Sequence, residues 1–262
     1  MPLQTYDGSL DAPTMNIDFD FANHPITGAK TAPETSLSNA TITQYLPMPG
    51  LSRFNPRSWA AGQKRIIYQN QNYTTPSTPL LYSMICPNSR LRASQQSFFS
   101  DSGVQGANAV NIPLGSIVQI RLFSSDGGQH PIHIHGKSFV ICDYSSVNSN
   151  GTVKSRTRAE LDANMFAPCG SMANARQPIR RDIVTLSPAT DPDKQGNVKQ
   201  GYAIIRFKAT VPGVWLLHCH IDWHFEIGLA MALVVGYDQL TSNAFQQSVP
   251  QHIQQECSNL KF

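Results

Sequence analysis

The sequence is poor in charge and has no long hydrophobic segment. Asp, Glu, Lys and Arg make up 14% of its 262 residues, and the formal net charge is +3. No apolar run approaches the roughly 20 residues that span a bilayer, and residues 1–8 lack the basic start and apolar stretch of a signal peptide. The basic residues are scattered, and no nucleic-acid motif accompanies them. The sequence therefore argues against a membrane-spanning protein and against a nucleic-acid-binding protein.

The chain also lacks any sustained 3.6-residue periodicity, and its one helical signal is a short turn at 160–166. Residues 143–177 are predicted to form a loop excursion that carries this turn. Short apolar or alternating runs bounded by turn residues predict strands instead, with a first strand at 15–21. The further predicted strands are 65–68, 117–123, 132–141, 179–186, 202–207, 214–217 and 229–235. This pattern predicts an all-β antiparallel sandwich or barrel.

One stretch, running from Leu216 to Val235, contains chemistry that packing alone does not require. An apolar run enters His218-Cys219-His220, so a strand would direct Cys219 to one face and both histidines to the other. His224 follows five residues after the cysteine. A thiolate with imidazoles and a weak or absent axial ligand is the ligand set of a blue copper centre, which needs a second histidine.

The second histidine source is the stretch from His130 to His135. His133 and His135 have the same parity in a strand, whereas His130 faces the other way. The simplest assembly places His130 with Cys219 and His224 around one copper ion, and the four remaining histidines around a separate cluster. A structural zinc site is the main alternative, but it uses four ligands. Seven potential ligands in two opposed sets favour copper.

These two stretches resemble the two carboxy-terminal copper motifs of the multicopper oxidases, and residues 218–224 are similar to the form found in fungal laccases. The resemblance covers residues 63–237 well, as the third cupredoxin domain of a three-domain enzyme. It implies a cupredoxin-like Greek-key β-sandwich or barrel with an irregular N-terminal linker. Residues 1–60 would then hold the end of a preceding cupredoxin domain and the linker. Residues 61–262 would form the copper-binding domain and a C-terminal tail.

The resemblance also assigns copper ligands. It implies a complete type 1 site made by His130, Cys219 and His224, with Leu229 at the axial position, where it cannot coordinate. It implies half of a trinuclear site, with His133 on type 2 copper and with His135, His218 and His220 on type 3 copper. The other four histidines of such a cluster come from two His-x-His motifs of the first domain, and this sequence has no further His-x-His.

The function that follows from the resemblance is that of a laccase-like oxidoreductase. A phenolic or aromatic substrate would lose one electron at His224, Cys219 would pass it on, and four such events would reduce O₂ to water. Because the missing N-terminal domains supply half of the cluster, the chain alone is expected not to reduce O₂. The alternatives are a ferroxidase or ascorbate oxidase, a stand-alone electron carrier and an inactive truncated product.

The remaining cysteines and the sequons bear on the compartment. Cys86, Cys142, Cys169 and Cys257 can pair in three ways, and the sequence does not choose among them. In the resembled family, a cysteine near the carboxy terminus is tied to the amino-terminal domain, so Cys257 is expected to be unpaired here. The family implies secretion, and the three sequons, at Asn39, Asn72 and Asn150, are compatible with glycosylation.

Overall fold

The computed structural model describes residue 10 and residues 13–20, 55–60, 64–67, 78–89, 109–124, 128–164, 167–169, 179–190, 199–226 and 229–260. The strands in these ranges are β1 (Met15–Asp20), β2 (Asn55–Ala60), β3 (Lys64–Ile67), β4 (Val110–Ile112), β5 (Ile117–Ser124), β6 (His130–Ile134), β7 (Phe139–Tyr144), β8 (Ser146–Val147), β9 (Val153–Lys154), β10 (Ile179–Arg181), β11 (Ile183–Leu186), β12 (Gly201–Lys208), β13 (Gly213–Cys219) and β14 (Ala230–Val235). The helices are α1 (Leu80–Ile85), α2 (Arg158–Ala163), α3 (Asp222–Glu226), α4 (Tyr237–Leu240), α5 (Asn243–Ser248) and α6 (Gln251–Asn259).

The strands form two principal sheets. The larger has the order β10-β7-β12-β5-β1-β2-β3, and the smaller has the order β11-β6-β13-β14-β4. Neighbouring strands are antiparallel except β1 with β5 and β14 with β4. Strand β1 lies within the stretch predicted as linker, yet it pairs with the central strand β5. The prediction of an all-β sandwich is confirmed, whereas the division of the chain at residue 60 stays a prediction.

The main core contains apolar side chains from both sheets, among them Ile17, Ile120, Ile205, Leu217 and Leu233. Every residue of β14 is buried, because its two faces pack on different partners. Its odd-numbered residues belong to the main core, and Ala232 and Val234 pack with residues of α1 and α4. A strand that is buried on both faces has a continuous apolar sequence, as residues 229–235 have.

Leu161 and Cys169, from the excursion that follows β7, pack on the larger sheet in a second apolar cluster with Val140 and Ile204. The disulfide Cys142–Cys169 ties this part of the excursion to β7, with a Cα–Cα distance of 4.3 Å. Arg121 of β5 reaches Asp162 of α2 at 2.8 Å, and its side chain is almost fully buried. A charge removed from water in this way requires a partner, so the ion pair fixes α2 on the sheet. The predicted short helix is confirmed, at Arg158–Ala163. The described part of the excursion also contains β8 and β9, which were not predicted, and residues 165–166 and 170–177 lie outside the described residues.

Two predicted strands are wrong as single elements. Residues 132–141 form the end of β6 and the start of β7, which lie in different sheets. The break occurs at Gly136, whose φ of +60° suits glycine, and where a Cβ atom would run into the ring of Trp215. Residues 179–186 likewise divide at Asp182 between β10 and β11. An apolar run does not reveal that the chain crosses from one sheet to the other.

The helices near the carboxy terminus, α4 to α6, were not predicted. They pack with α1 in two small apolar clusters beside the smaller sheet. The expectation of an unpaired Cys257 is wrong, because this cysteine is bonded to Cys86 with a Cα–Cα distance of 5.3 Å. Cys86 directly follows α1 and lies 171 residues before Cys257 in the sequence. Among the described residues, no helix is long and apolar enough to cross a membrane.

Candidate metal centre

The two histidine-containing stretches lie side by side because β6 and β13 are antiparallel neighbours. In their register, His218 faces His133 and Cys219 faces Ile132. The pairing continues beyond β13, where the His220 amide donates to the Pro131 carbonyl at 2.7 Å. This pair of strands, together with the residue that directly follows each strand, therefore carries six of the seven predicted ligands.

Strand alternation divides these ligands between two faces, as predicted. His130 and Cys219 point into the sandwich, where their exposed fractions are 2% and 0%. The rings of His133, His135, His218 and His220 lie together on the opposite face, with exposed or partly exposed side chains.

His224 joins the interior pair from the short helix α3. Its own side chain is 5% exposed. The segment between Cys219 and Leu229 is closed by two backbone hydrogen bonds: the Cys219 amide donates to the Leu229 carbonyl at 3.0 Å, and the Leu229 amide donates to the His224 carbonyl at 2.9 Å. These bonds bring the end of α3 back over the strand, and they place the imidazole beside the thiol.

The three side chains form a compact triangle of potential ligand atoms. His224 Nδ1 lies 3.3 Å from Cys219 Sγ, His130 Nδ1 lies 4.0 Å from the same sulfur, and the two nitrogens are 3.2 Å apart. The centre of such a triangle is about 2.1 Å from each atom, which is close to the bond lengths of metals to histidine nitrogen and cysteine sulfur. A thiolate with two imidazoles suits copper, so the residues fit the ion that the sequence predicts.

Burial raises the pKa of the Cys219 thiol to about 11. Without a metal ion the sulfur therefore keeps its proton near neutral pH, because a lone thiolate is costly to bury. A metal ion must displace this proton when it binds, and it replaces the proton as the positive partner of the sulfur.

Leu229 adds no ligand to this triangle. Its backbone is held by the two hydrogen bonds that close the segment, and its side chain is 2% exposed within the main core. A hydrocarbon side chain has no lone pair, so Leu229 contributes packing to the site. This is consistent with the non-coordinating role that the family resemblance implies for Leu229.

On the outer face, backbone carbonyls fix two of the rings. His133 Nδ1 donates to the Asp182 carbonyl at 2.8 Å, and His218 Nδ1 donates to the Cys219 carbonyl at 2.8 Å. With Nδ1 protonated, the Nε2 of each neutral ring is unprotonated and carries the lone pair that a metal ion binds. Asp182 thus orients a histidine through its main chain and not through its carboxylate.

The outer histidines are close to one another, but their ring nitrogens do not converge as the potential ligand atoms of the interior triangle do. His135 Nε2 and His218 Nε2 are 3.0 Å apart, and burial lowers the pKa of both rings, with neighbouring histidines lowering it further. Within the described ranges, the interior triangle is the one group of three potential ligands whose atoms all lie within 4.8 Å of one another. The outer face therefore has the character of a partial site.

Trp215 is a structural neighbour of these histidines that the sequence reasoning missed. Lys137 places its ammonium group 4.7 Å from the centre of the Trp215 ring, and it donates to the Val211 carbonyl at 3.4 Å. Gly136 rests against the same ring. The glycine directly after His135 was the available signal, because a glycine can mark a place where another group approaches the backbone closely. The tryptophan supports the turn that follows His135.

Comparison with curated proteins relates the chain to copper enzymes. It is 30% identical over 176 residues to the iron transport multicopper oxidase FET5 of Saccharomyces cerevisiae, which covers 66% of this chain and 25% of that protein. It is 28% identical over 265 residues to the iron transport multicopper oxidase FET3 of Candida glabrata, covering 100% of this chain and 35% of that one. The chain thus spans about a quarter to a third of the length of these relatives.

Comparison with solved structures gives the same fold. The crystal structure of Fet3p, a multicopper oxidase that functions in iron import, superposes with a TM-score of 0.54 at 22% identity, covering 98% of this chain and 38% of that one. The cupredoxin-like fold is confirmed by this likeness. The family model described as "Multicopper oxidase" matches residues 73–239, about two thirds of the sequence. The chain belongs to the multicopper oxidase family, and its cofactor is copper.

Proposed function

We propose that this chain holds type 1 copper with His130, Cys219 and His224, and that it forms part of an oxidase. The observation that carries the proposal is the buried triangle of one sulfur and two nitrogens with sides of 3.2 to 4.0 Å. Copper bound there supplies one-electron redox chemistry. Leu229 is the non-coordinating axial residue in this proposal.

The outer histidines take the roles of trinuclear ligands in the same proposal, His133 for type 2 copper and His135, His218 and His220 for type 3 copper. Cys219 connects the two faces, since it is bonded through the main chain to His218 and its carbonyl accepts the His218 ring N–H. We infer that, with copper bound on both faces, this covalent and hydrogen-bonded path would connect the two sites across the sheet. The remaining four histidines must come from a segment beyond this sequence, so the chain alone should not reduce O₂.

The substrate proposed first is ferrous iron. The curated relatives at 28–30% identity are named as iron transport oxidases, which favours the ferroxidase alternative over the laccase type. The similarity of residues 218–224, which include Asp222 and Trp223, to the form found in fungal laccases keeps phenol or lignin oxidation as the second candidate. The Asp222 side chain is exposed two residues before His224, where a carboxylate can meet either an iron ion or a phenol hydroxyl.

The proposed location is extracellular or on the secretory route. Four of the five cysteines are paired in disulfides, which persist in oxidising compartments and are rare in the cytosol. Secretion was expected from the family resemblance, and the disulfides support it on independent chemical grounds.

The test is copper loading of the purified chain, followed by visible and electron spin resonance spectra. We expect one type 1 signal with an intense thiolate-to-copper absorption, absent in Cys219→Ser, and no oxygen uptake with ferrous iron or a phenol. Oxygen consumption by the chain alone would contradict the proposed incompleteness of the cluster. A colourless product from the unaltered, folded chain would contradict the type 1 assignment.

Substrate type is tested by mixing the copper-loaded chain anaerobically with a reductant and following the loss of the blue absorption. Ferrous iron should bleach the site faster than an equimolar phenol, and Asp222→Asn should slow the reaction with iron more than the reaction with phenol. Faster bleaching by phenol would favour the laccase type instead.

A further inference from the structure

We propose that Asn150 is a site of N-linked glycosylation at the tip of the β8–β9 hairpin. Residues 150–152 read Asn-Gly-Thr, the acceptor motif of this modification. The other two sequons, at Asn39 and Asn72, lie outside the described residues. Asn150 is therefore the acceptor whose surroundings are known, and those surroundings meet the steric and chemical requirements of the reaction.

The first requirement is access, and the hairpin tip provides it. Every residue from Val147 to Thr152 is exposed. Gly151 has a φ of +81°, and a Cβ atom built on it would meet nothing within 4 Å. An oligosaccharide attached at this tip would extend into solvent without displacing any neighbouring element.

The second requirement is a presented side-chain amide. The Thr152 backbone N–H donates to Asn150 Oδ1 at 3.1 Å, which forms an Asx turn. This bond uses the amide oxygen and leaves Nδ2 as the reacting atom. The turn is preformed by the hairpin, because the Asn148 amide donates to the Thr152 carbonyl at 2.8 Å and the Gly151 amide donates to the Asn148 carbonyl at 2.9 Å.

A hairpin turn explains part of this motif without any glycan. Asn-Gly is favoured in tight turns because both residues tolerate positive φ. The turn does not, however, require a hydroxyl residue at position 152. Thr152 is the residue that distinguishes an acceptor from an ordinary turn, so it provides the discriminating variant.

The glycosyl donor in this reaction is an oligosaccharide carried on a polyprenyl diphosphate. A bond forms between Asn150 Nδ2 and the anomeric carbon of the first sugar, and the bond from that carbon to the diphosphate oxygen breaks. The amide loses one proton, and the lipid diphosphate leaves. Nothing is oxidised or reduced, and the modification does not depend on the copper sites.

The experiment is secretion of the chain from a eukaryotic host behind a cleavable leader, followed by mass spectrometry. After reduction of the disulfides, trypsin releases residues 138–154, which contain Asn148 and Asn150 in one peptide. Asn148 has no hydroxyl residue two positions later, so it is an internal control. Glycosidase treatment in ¹⁸O-water marks the modified asparagine. An aliquot without glycosidase measures spontaneous deamidation, to which an Asn-Gly pair is prone.

We expect a glycosidase-sensitive mass on the 138–154 peptide, with the ¹⁸O label at Asn150 alone. Asn150→Gln and Thr152→Ala should remove this mass, and Thr152→Ser and Asn148→Gln should retain it. The type 1 absorption of Asn150→Gln should equal that of the unaltered chain. The proposal is overturned if the peptide is recovered unmodified from protein that has entered the secretory pathway, or if Thr152→Ala keeps the glycan.

Discussion

Leu229 is the residue whose chemistry bears most directly on the properties of the proposed copper site. It is the axial residue of that proposal, its side chain is buried, and its backbone is tied to both Cys219 and His224. A weak axial ligand stabilises oxidised copper, so the absence of such a ligand favours the reduced ion. The prediction concerns the reduction potential and not the presence of the site.

Leu229→Met should lower the reduction potential of the copper-loaded chain. Methionine adds a sulfur ligand at nearly constant volume, so the loss in unfolding free energy should stay below about 1.5 kcal/mol. The potential is measured by redox titration of the blue absorption. Leu229→Ile is the matched control, since it changes the shape of the side chain without adding a ligand. An unchanged or higher potential in Leu229→Met would count against the axial assignment.

Gly136 is the second residue at which a substitution has a predicted effect, here on the free energy of unfolding. Gly136→Ala should reduce the unfolding free energy more than Gly115→Ala does. Both glycines have positive φ, which costs an alanine about 1–2 kcal/mol. Only position 136 has the Trp215 ring against the new methyl group, which adds about 1–3 kcal/mol, whereas position 115 has open space.

The measurement for this pair is urea unfolding of the metal-free chain. The difference between the two variants isolates the contact with Trp215 from the backbone strain that they share. Equal losses in both variants would show that the ring moves aside at no cost.

Among the elements, β13 explains why so much of the site could be predicted. Alternation in a strand is a local property, so the opposite directions of Cys219 and its two neighbouring histidines follow from sequence alone. The pairing of β13 with β6, and the return of α3 over the strand, depend on contacts between distant residues. The odd spacing of His130 from His133 and His135 predicted the face of the strand to which His130 points. It predicted neither the pairing of β6 with β13 nor the distances between His130, Cys219 and His224.

Helix α2 carries a prediction about pH. Thr157 and Glu160 form a capping box, in which the Glu160 carboxylate accepts from the Thr157 amide at 2.7 Å and the Glu160 amide donates to the Thr157 hydroxyl oxygen at 3.3 Å. The hydrogen bond from the Thr157 backbone lowers the pKa of Glu160. Its contribution to stability is therefore present above the ordinary glutamate pKa and is lost as the pH falls through the lowered value.

Glu160→Gln should accordingly lower the melting temperature near neutral pH, and the difference from the unaltered chain should disappear in acid. Thermal unfolding followed by circular dichroism over a pH series measures this difference. Glu256→Gln is a suitable control, because it removes the same charge from an exposed position on α6. A difference that is independent of pH would mean that the carboxylate charge adds nothing to the cap.

At the scale of the whole molecule, two disulfides close loops of very different length. Cys86 and Cys257 are separated by 171 residues, and Cys142 and Cys169 by 27. A cross-link restricts the unfolded chain more when its loop is longer, by about 5 kcal/mol for the first bond and about 3.5 kcal/mol for the second. Replacing Cys86 and Cys257 together by Ser should therefore cost more unfolding free energy than replacing Cys142 and Cys169.

Urea unfolding of the two double variants measures this order, and each variant serves as the comparison for the other. The reverse order would mean that interactions in the folded state outweigh the restriction of the unfolded chain. The tether formed by Cys86 and Cys257 would then be of secondary importance for the global stability.

The extent to which the molecule could be predicted follows the range of the interactions involved. The β-sandwich and the face of the strand to which each predicted ligand points follow from the alternation of side chains along a strand. Both were therefore predicted from the sequence. The disulfide to Cys86, the change of sheet at Gly136 and the three C-terminal helices depend on partners far along the chain. The helices in particular have little apolar periodicity of their own, since α6 buries only Cys257.

Because the other cysteines are paired, the reactivity of Cys219 can report how often the folded protein opens. With four of the five sulfurs bonded to one another, Cys219 is left as the single reduced thiol, and none of its surface is accessible to solvent. A bulky maleimide added to the metal-free protein can therefore react only in molecules whose interior has become exposed. The labelling rate would count those opening events directly, without any engineered probe.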